Sequence, residues 1–137
     1  MSTRLPSRLI AIVDDDKSVQ TALQDLVESE GLSTLCFGSA EQFLDSGAQH
    51  KAGCLIADIR MPGMSGIELQ AKLKADRCRI TIIFITAHGD ARVRIQAMRD
   101  GAVEFLTKPI DKAVLLETVH AAVEDHAKAL RLRDSNR

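Results

Sequence analysis

The feature that most narrows the possible folds is a set of short apolar runs with no polar alternation. Ile80-Thr81-Ile82-Ile83-Phe84-Ile85 is the most β-branched, and Leu9-Ile10-Ala11-Ile12-Val13 and Cys54-Leu55-Ile56-Ala57 share its character. A strand with one wet face alternates apolar and polar residues, whereas an unbroken apolar run of this length fits a strand buried on both faces. Thr34-Leu35-Cys36-Phe37 and Val103-Glu104-Phe105-Leu106 are shorter runs of strand composition. Helical stripes lie between the runs. Val19, Ala22, Leu23, Leu26 and Val27 recur at helical spacing, and Gly31 ends that segment. Ser39, with Gln42 at the capping-box position, starts a helix through Leu44 that Gly47 closes, and Ser65 with Glu68 caps another to about Ala75. A fourth helix carries Ala91, Ile95, Met98 and Ala102 as its expected core stripe and ends at Gly101, which leaves Val93 and Ala97 on the opposite side. The last helix begins near Asp111 and is expected to bury Leu115, Val119, Ala122, Val123 and, at its far end, His126.

Strands that alternate with helices in this way predict an α/β fold, a five-stranded parallel sheet with helices on both faces. The flavodoxin-like strand order 2-1-3-4-5 is the expected arrangement. Residues 1–127 read as one domain. From Lys128 through Arg131, Arg133 and Arg137 the chain turns polar and basic, and 128–137 reads as a tail or the start of a linker. A formal net charge of -1 offers no field for nucleic acid or an acidic membrane surface. No apolar run approaches the ~20 residues a membrane helix needs, and Met1 to Arg8 has no signal-peptide apolar region. Cys36, Cys54 and Cys78 lack zinc or redox spacing and read as free thiols of a reducing cytoplasm. With no Trp or Tyr, a base-stacking surface is not expected.

The chemistry gathers where the strands end. The third strand ends at Asp58, and Ile59-Arg60-Met61-Pro62-Gly63-Met64-Ser65-Gly66 then makes a loop. The first ends in Asp14-Asp15-Asp16, the fourth at Thr86-Ala87-His88-Gly89-Asp90, and the fifth at Thr107-Lys108-Pro109. In a sheet of this order the carboxyl ends converge, so Asp14, Asp15, Asp58, Thr86 and Lys108 share one edge. Crowded carboxylates repel and raise one another's pKa. A cation such as Mg²⁺ and the Lys108 ammonium can relieve that, and Mg²⁺ suits hard oxygen ligands, whereas zinc is disfavoured with no Cys or His among these residues. Taken singly, each residue has a plainer reading. Asp14-Asp15 could be a solvated helix cap, Lys108 a surface lysine, Thr86 a cap for the following helix and Phe105 core. His50, His88, His120 and His126 show no ligand spacing, and Arg92, Arg94 and Arg99 fit a solvated helix face. There is no Walker-type phosphate loop, and Ile67 stands where a nucleophile elbow needs its second Gly.

Together the acidic pair after the first strand, Asp58 in Asp-x-Arg-Met-Pro-x-Met-x-Gly, Thr86-Ala87 after the fourth and Lys108-Pro109 after the fifth resemble the receiver domain of two-component response regulators. The resemblance covers roughly Leu9 to Ala127. The runs Thr86 to Asp90 and Gly101 to Leu106 look most like the nitrogen-fixation-regulator branch, many of whose members carry a helix-turn-helix output domain that this stretch lacks. The resemblance implies a signalling domain rather than an enzyme. Asp58 is then the nucleophile that takes a phosphoryl group from a phosphohistidine of a sensor histidine kinase. Asp15 and Asp58, with the Arg60 backbone carbonyl, would ligate Mg²⁺ directly, and Asp14 through a metal-bound water. Lys108 would neutralise charge, the Thr86 hydroxyl would bond a phosphoryl oxygen, and Phe105 would turn inward behind it. The resemblance also implies a homodimer on phosphorylation through the fourth helix, fifth strand and last helix, with Val93 expected near its centre. Neither nucleic acid nor membrane is an expected partner. Departures from the pattern are small: Asp16 where Glu is common, Ile110 where Phe is frequent, and Phe105 in place of Tyr. The enzyme alternative is a Mg²⁺-dependent aspartyl-phosphate phosphohydrolase of the haloacid dehalogenase type, whose Asp-x-Asp motif Asp14-x-Asp16 imitates. That family keeps its nucleophile on the first strand, and this chain has no insert to form its cap. A degenerate receiver would have lost Asp58, Lys108 or the acidic pair, and all are present.

Overall fold

A computed structural model describes residues 8–87 and 89–135, with side chains described through Asp125. The expectations for the N-terminus before Arg8, for His88, and for the His126, Arg131, Arg133 and Arg137 side chains lie outside the described residues. The chain runs β1 (Leu9–Val13), α1 (Lys17–Glu28), β2 (Ser33–Phe37), α2 (Ala40–Ser46), a 3-10 turn (Ala48–His50), β3 (Cys54–Asp58), α3 (Gly66–Ala75), β4 (Thr81–Thr86), α4 (Ala91–Arg99), β5 (Glu104–Thr107) and α5 (Lys112–Ser135). All strand pairs are parallel, in the order β2-β1-β3-β4-β5. The expected α/β fold and strand order are therefore what forms. The backbone of α5 stays helical past residue 127 to Ser135.

Register explains the unbroken apolar runs. Ile12 pairs with Ile56, and Ile56 with Ile83, so one side of the central strands is a row of Ile. That side packs on Leu23 and Val27 of α1 and on Leu115 and Val119 of α5. Ala11, Val13, Leu55, Ala57 and Phe84 point the other way, against Phe43 of α2, Leu69 and Leu73 of α3 and Ala97 of α4. Both faces are dry, so polar alternation has no place in these strands.

The caps show why the helices begin where they do. Ser65 accepts from the Glu68 N–H while Glu68 accepts from the Ser65 N–H, a full capping box. At α2 only half of the expected box forms. Ser39 accepts from the Gln42 N–H, but the Gln42 side chain accepts from Gly38 rather than Ser39. The α4 end is a Schellman turn, with Gly101 at φ 108, its N–H bonded to the Met98 carbonyl and the Ala102 N–H to the Ala97 carbonyl. Gln70 of α3, buried, adds a donor to that same Ala97 carbonyl at 2.9 Å, and its Oε1 has no partner among the described residues.

Two helix faces differ from expectation. On α1, Ala22 is exposed and the polar Gln20 is buried. The reversal on α4 is larger. Ala97 is fully buried and Val93 packs half-buried on the core, while Ala91 is exposed, Ile95 is 57% exposed and Met98 38%. Ala102 is buried as expected. Hydrophobicity alone ranks Ile and Met as the core stripe, but it is Ala97 that joins the core cluster containing Phe84 and Phe105. The helix therefore approaches through its smallest side chain. Ala97→Leu should cost about 1–3 kcal/mol through overpacking, whereas Ile95→Ser should stay within about 0.5 kcal/mol of the unaltered protein. Urea unfolding of the two variants checks the orientation of α4, and the opposite ranking would restore the expected stripe.

Candidate functional site

The site is assembled from backbone outward. β1 and β3 are neighbours, so the residues at their ends meet. Asp14 is fully buried, and its main-chain N–H donates to the Phe37 carbonyl at the end of β2. One carboxylate oxygen, Oδ1, accepts from the Asp16 N–H at 2.9 Å, and the other, Oδ2, lies 3.4 Å from the Lys108 Nζ. Asp15 is exposed beside it. Asp16 turns away to N-cap α1, accepting from the Ser18 N–H at 2.9 Å and the Ser18 hydroxyl at 2.6 Å. Asp14-x-Asp16 is therefore one site residue and one cap.

Asp58 closes β3 almost buried, with Oδ1 accepting from the Arg60 N–H at 3.2 Å and Oδ2 3.4 Å from the Lys108 Nζ. The loop beyond it can turn this sharply because of Gly66. A Cβ there would lie 2.4 Å from the Asp58 carbonyl oxygen, which no side chain tolerates. The Gly66 N–H instead donates to the Ile59 carbonyl at 2.8 Å, so α3 starts directly against the strand end. On the other side of the loop, Glu41 of α2 accepts from the Met64 N–H at 3.0 Å. Gly63, at φ 76, lies so close to Glu41 that an added Cβ would sit 2.7 Å from its carboxylate. The Arg60 carbonyl belongs to this held loop, while the Arg60 side chain is exposed.

Lys108 arrives from the far end of the sheet. Its N–H bonds the Thr86 carbonyl at 2.8 Å, and its peptide link to Pro109 is cis. Thr86 is buried at the end of β4. Phe105, one strand over, is only 5% exposed and lies in the core with Phe84 and Ala97. Its ring is buried in this structure.

Carboxylate oxygens of Asp14, Asp15 and Asp58 lie within 4.8 Å of one another. Burial pushes the Asp14 carboxyl above its ordinary 3.8, and the Asp58 charge pushes the same way. The Asp16 N–H and Lys108 offset this only in part. Burial alone would lower Lys108, but the charges of Asp14 and Asp58 together outweigh it, so its ammonium is held above the ordinary 10.5. Asp16 lies below its usual range because the Ser18 hydroxyl and then the Ser18 N–H stabilise its charge. The donor set is all oxygen and carries excess negative charge, which fits a hard divalent cation and not a soft one. An exposed carboxylate, a near-buried carboxylate and an ammonium in one crevice can hold a cation, orient a phosphoryl group and neutralise its charge.

Fold and site together define a receiver domain. A sequence model of the family described as "Response regulator receiver domain" matches residues 10–120, and the chain belongs to that family, the phosphoacceptor domains of two-component signalling. Among its relatives, the response regulator protein TodT of Pseudomonas putida is 47% identical over 116 residues, which are 85% of this chain and 51% of TodT. The transcriptional regulatory protein FixJ of Azorhizobium caulinodans is 39% identical over 126 residues, 92% of this chain and 60% of FixJ. Of solved structures, the response regulator StyR superposes with a TM-score of 0.86 at 41% identity, covering 93% of this chain and 65% of StyR. The N-terminal part of FixJ gives 0.77 at 37%, covering 85% and 93%. The chain spans about half the length of the TodT relatives it matches. The haloacid dehalogenase alternative finds no support. Among the described residues no helix is long and apolar enough to cross a membrane.

The expected site residues Asp14, Asp15, Asp58 and Lys108 come together, with Thr86 at the end of β4 and the Arg60 carbonyl on the loop after β3. Sequence reasoning did not reach Gln20, Glu41 or Gln70, whose polar side chains hold backbone. The one available signal was a polar residue interrupting an apolar helix face, as Gln20 does between Val19 and Leu23. A raised Asp14 pKa has a definite sign. The native state binds more protons than the unfolded chain from pH 3.8 up to the folded pKa, so Asp14 makes stability fall as pH rises through that window. Asp14→Asn should abolish that fall and raise the melting temperature in chelator at neutral pH. A lower melting temperature would show that the Lys108 pairing outweighs the burial.

Proposed function

We propose that Asp58 accepts a phosphoryl group from a phosphohistidine of a sensor histidine kinase, in a reaction that depends on Mg²⁺. The observation that carries this reading is the contact of Lys108 with both Asp14 and Asp58 beside the exposed Asp15. Asp15, Asp58 and the Arg60 carbonyl would hold Mg²⁺ directly, with Asp14 one step removed, in keeping with its burial and its bonds to Asp16 and Lys108. The bound ion supplies neutralisation of charge on the phosphoryl oxygens. An Asp58 carboxylate oxygen attacks phosphorus as the P–N bond to the histidine breaks, and the electron pair leaves with the imidazole. The Asp58–phosphate is an acyl phosphate, and Lys108 lies beside it to balance its added charge. Thr86, at the end of the next strand, supplies the hydroxyl that would bond a phosphoryl oxygen. An apolar groove of about 720 Å³ between α1 and the β5–α5 loop, lined by Val19, Leu23, Leu26, Pro109 and Ile110, reaches Lys108 and offers a partner an apolar contact surface beside the site. The free thiols Cys36, Cys54 and Cys78 are in keeping with a cytoplasmic setting. Relatives named as transcriptional regulatory proteins support a part in regulating transcription.

Incubating the protein with Mg²⁺ and a small phosphodonor should add one phosphoryl group by intact mass, and Asp58→Ala should add none. An adduct that persists in Asp58→Ala would move the acceptor elsewhere.

Output runs through the α4 face. Ile95 and Met98 are exposed there at 57% and 38%, and they replace Val93, which is half-buried against the core, as the centre of an activated homodimer. Beryllofluoride with Mg²⁺ mimics the phosphoryl group, and sedimentation should then show the wild type moving towards dimer. Ile95→Glu should remain monomeric while still accepting phosphate. A wild type that stays monomeric at high concentration would place the output on another partner.

A further inference from the structure

Gln20 is a buried polar side chain beside the acidic site that phosphoryl chemistry does not use. It is 6% exposed, and its Nε2 donates to the Asp14 carbonyl at 2.7 Å and to the Phe37 carbonyl at 3.3 Å. The Phe37 carbonyl also receives the Asp14 N–H at 3.1 Å. Asp14 is thus fixed at four atoms: its N–H by Phe37, its carbonyl by Gln20, Oδ1 by the Asp16 N–H and Oδ2 by Lys108. The Gln20 main-chain N–H donates to the Asp16 carbonyl at 3.1 Å, so the amide that grips the acidic loop is anchored one helical turn from it.

The gripped oxygen belongs to the Asp14–Asp15 peptide. Rotation of that peptide would swing Asp15, whose carboxylate lies within 4.8 Å of those of Asp14 and Asp58. Repulsion between like charges favours such a swing whenever no cation is bound. Something in the backbone has to resist it, and the resisting group must not itself act as a competing cation. A neutral amide meets both needs, since it supplies two N–H donors and no charge.

We infer that Gln20 is a positioning residue of the phosphoacceptor site, locking the Asp14–Asp15 peptide so that Asp15 faces Asp58 and the three carboxylates are preorganised for Mg²⁺. The inference rests on the Mg²⁺ reading given above.

The test is a calorimetric Mg²⁺ titration of wild type, Gln20→Met and Gln20→Leu. Met matches Gln in length and keeps the apolar contacts without a donor. Groups that orient metal ligands typically matter about tenfold or more, and a loss of Mg²⁺ affinity of about tenfold is expected in both variants. Phosphorylation by a small phosphodonor should be slowed at low Mg²⁺ and recover at saturating Mg²⁺. The melting temperature gained between chelator and a fixed Mg²⁺ concentration should shrink, because that gain reports binding to the native state. A merely structural Gln20 would lower the melting temperature equally in both conditions and leave the gain intact. In the wild type itself, the labelled Gln20 side-chain amide resonances should move on Mg²⁺ addition. Unchanged Mg²⁺ affinity in the folded variants, or unmoved amide resonances, would overturn the inference alone. A wild type that binds no Mg²⁺ would overturn the metal reading and this inference with it.

Discussion

Three carboxylates held within 4.8 Å of one another, with one lysine to answer them, are the constraint on which the rest of this structure depends. Like charges at this range do not stay together unless the backbone makes them. The parallel sheet does so by setting β1 beside β3, which puts Asp14 and Asp58 at adjoining strand ends whatever their mutual repulsion. Lys108 is 94 residues from Asp14 in sequence and comes from β5, with β4 between it and β3. The balancing charge is therefore present only when the sheet is complete. The site and the core are in this sense one cooperative object, since the hydrophobic burial of the strands supplies the free energy that holds the charges in place.

Most of this was legible from residue pattern because the strands are buried on both faces. Runs such as Leu9–Val13 and Cys54–Ala57 contain no polar residue to confuse the period, and the acids and Lys108 follow directly where each run stops. Strand boundaries slipped by one residue at Thr81–Thr86 and Glu104–Thr107, where a polar residue at each edge has no pattern to settle it. The 3-10 turn at Ala48–His50 follows Gly47, which signals an end but not what succeeds it. The side-chain bonds that stayed hidden are of one kind. Gln20, Glu41 and Gln70 each bond a main-chain group on another element. Such a bond depends on how two elements lie across each other, and hydrophobic periodicity carries no information about that.

The α4 reversal teaches a related point. A stripe assigned by hydrophobicity favours Ile95 and Met98, yet Ala97 is the residue of α4 that is fully buried, in the cluster that holds Phe84 and Phe105. Close packing admits Ala97, and the larger side chains are left outside. The exposed pair is thus apolar surface that folding does not use, which makes it informative in a way that a scattered exposed Val is not.

The bond from Gln70 to the Ala97 carbonyl has a mechanical meaning. It fastens α4 near its C-terminal end, at the carbonyl that also anchors the closing turn. The N-terminal end follows the loop from Thr86, and among the described residues no side chain from another helix bonds its main chain in that way. Ala91 lies about 9 Å along the axis from Ala97 at 1.5 Å per residue. A rod pinned at one end is a lever, so a push delivered at the loop would tilt it about Ala97 rather than slide it, and the residues at the Asp90 end would then sweep furthest.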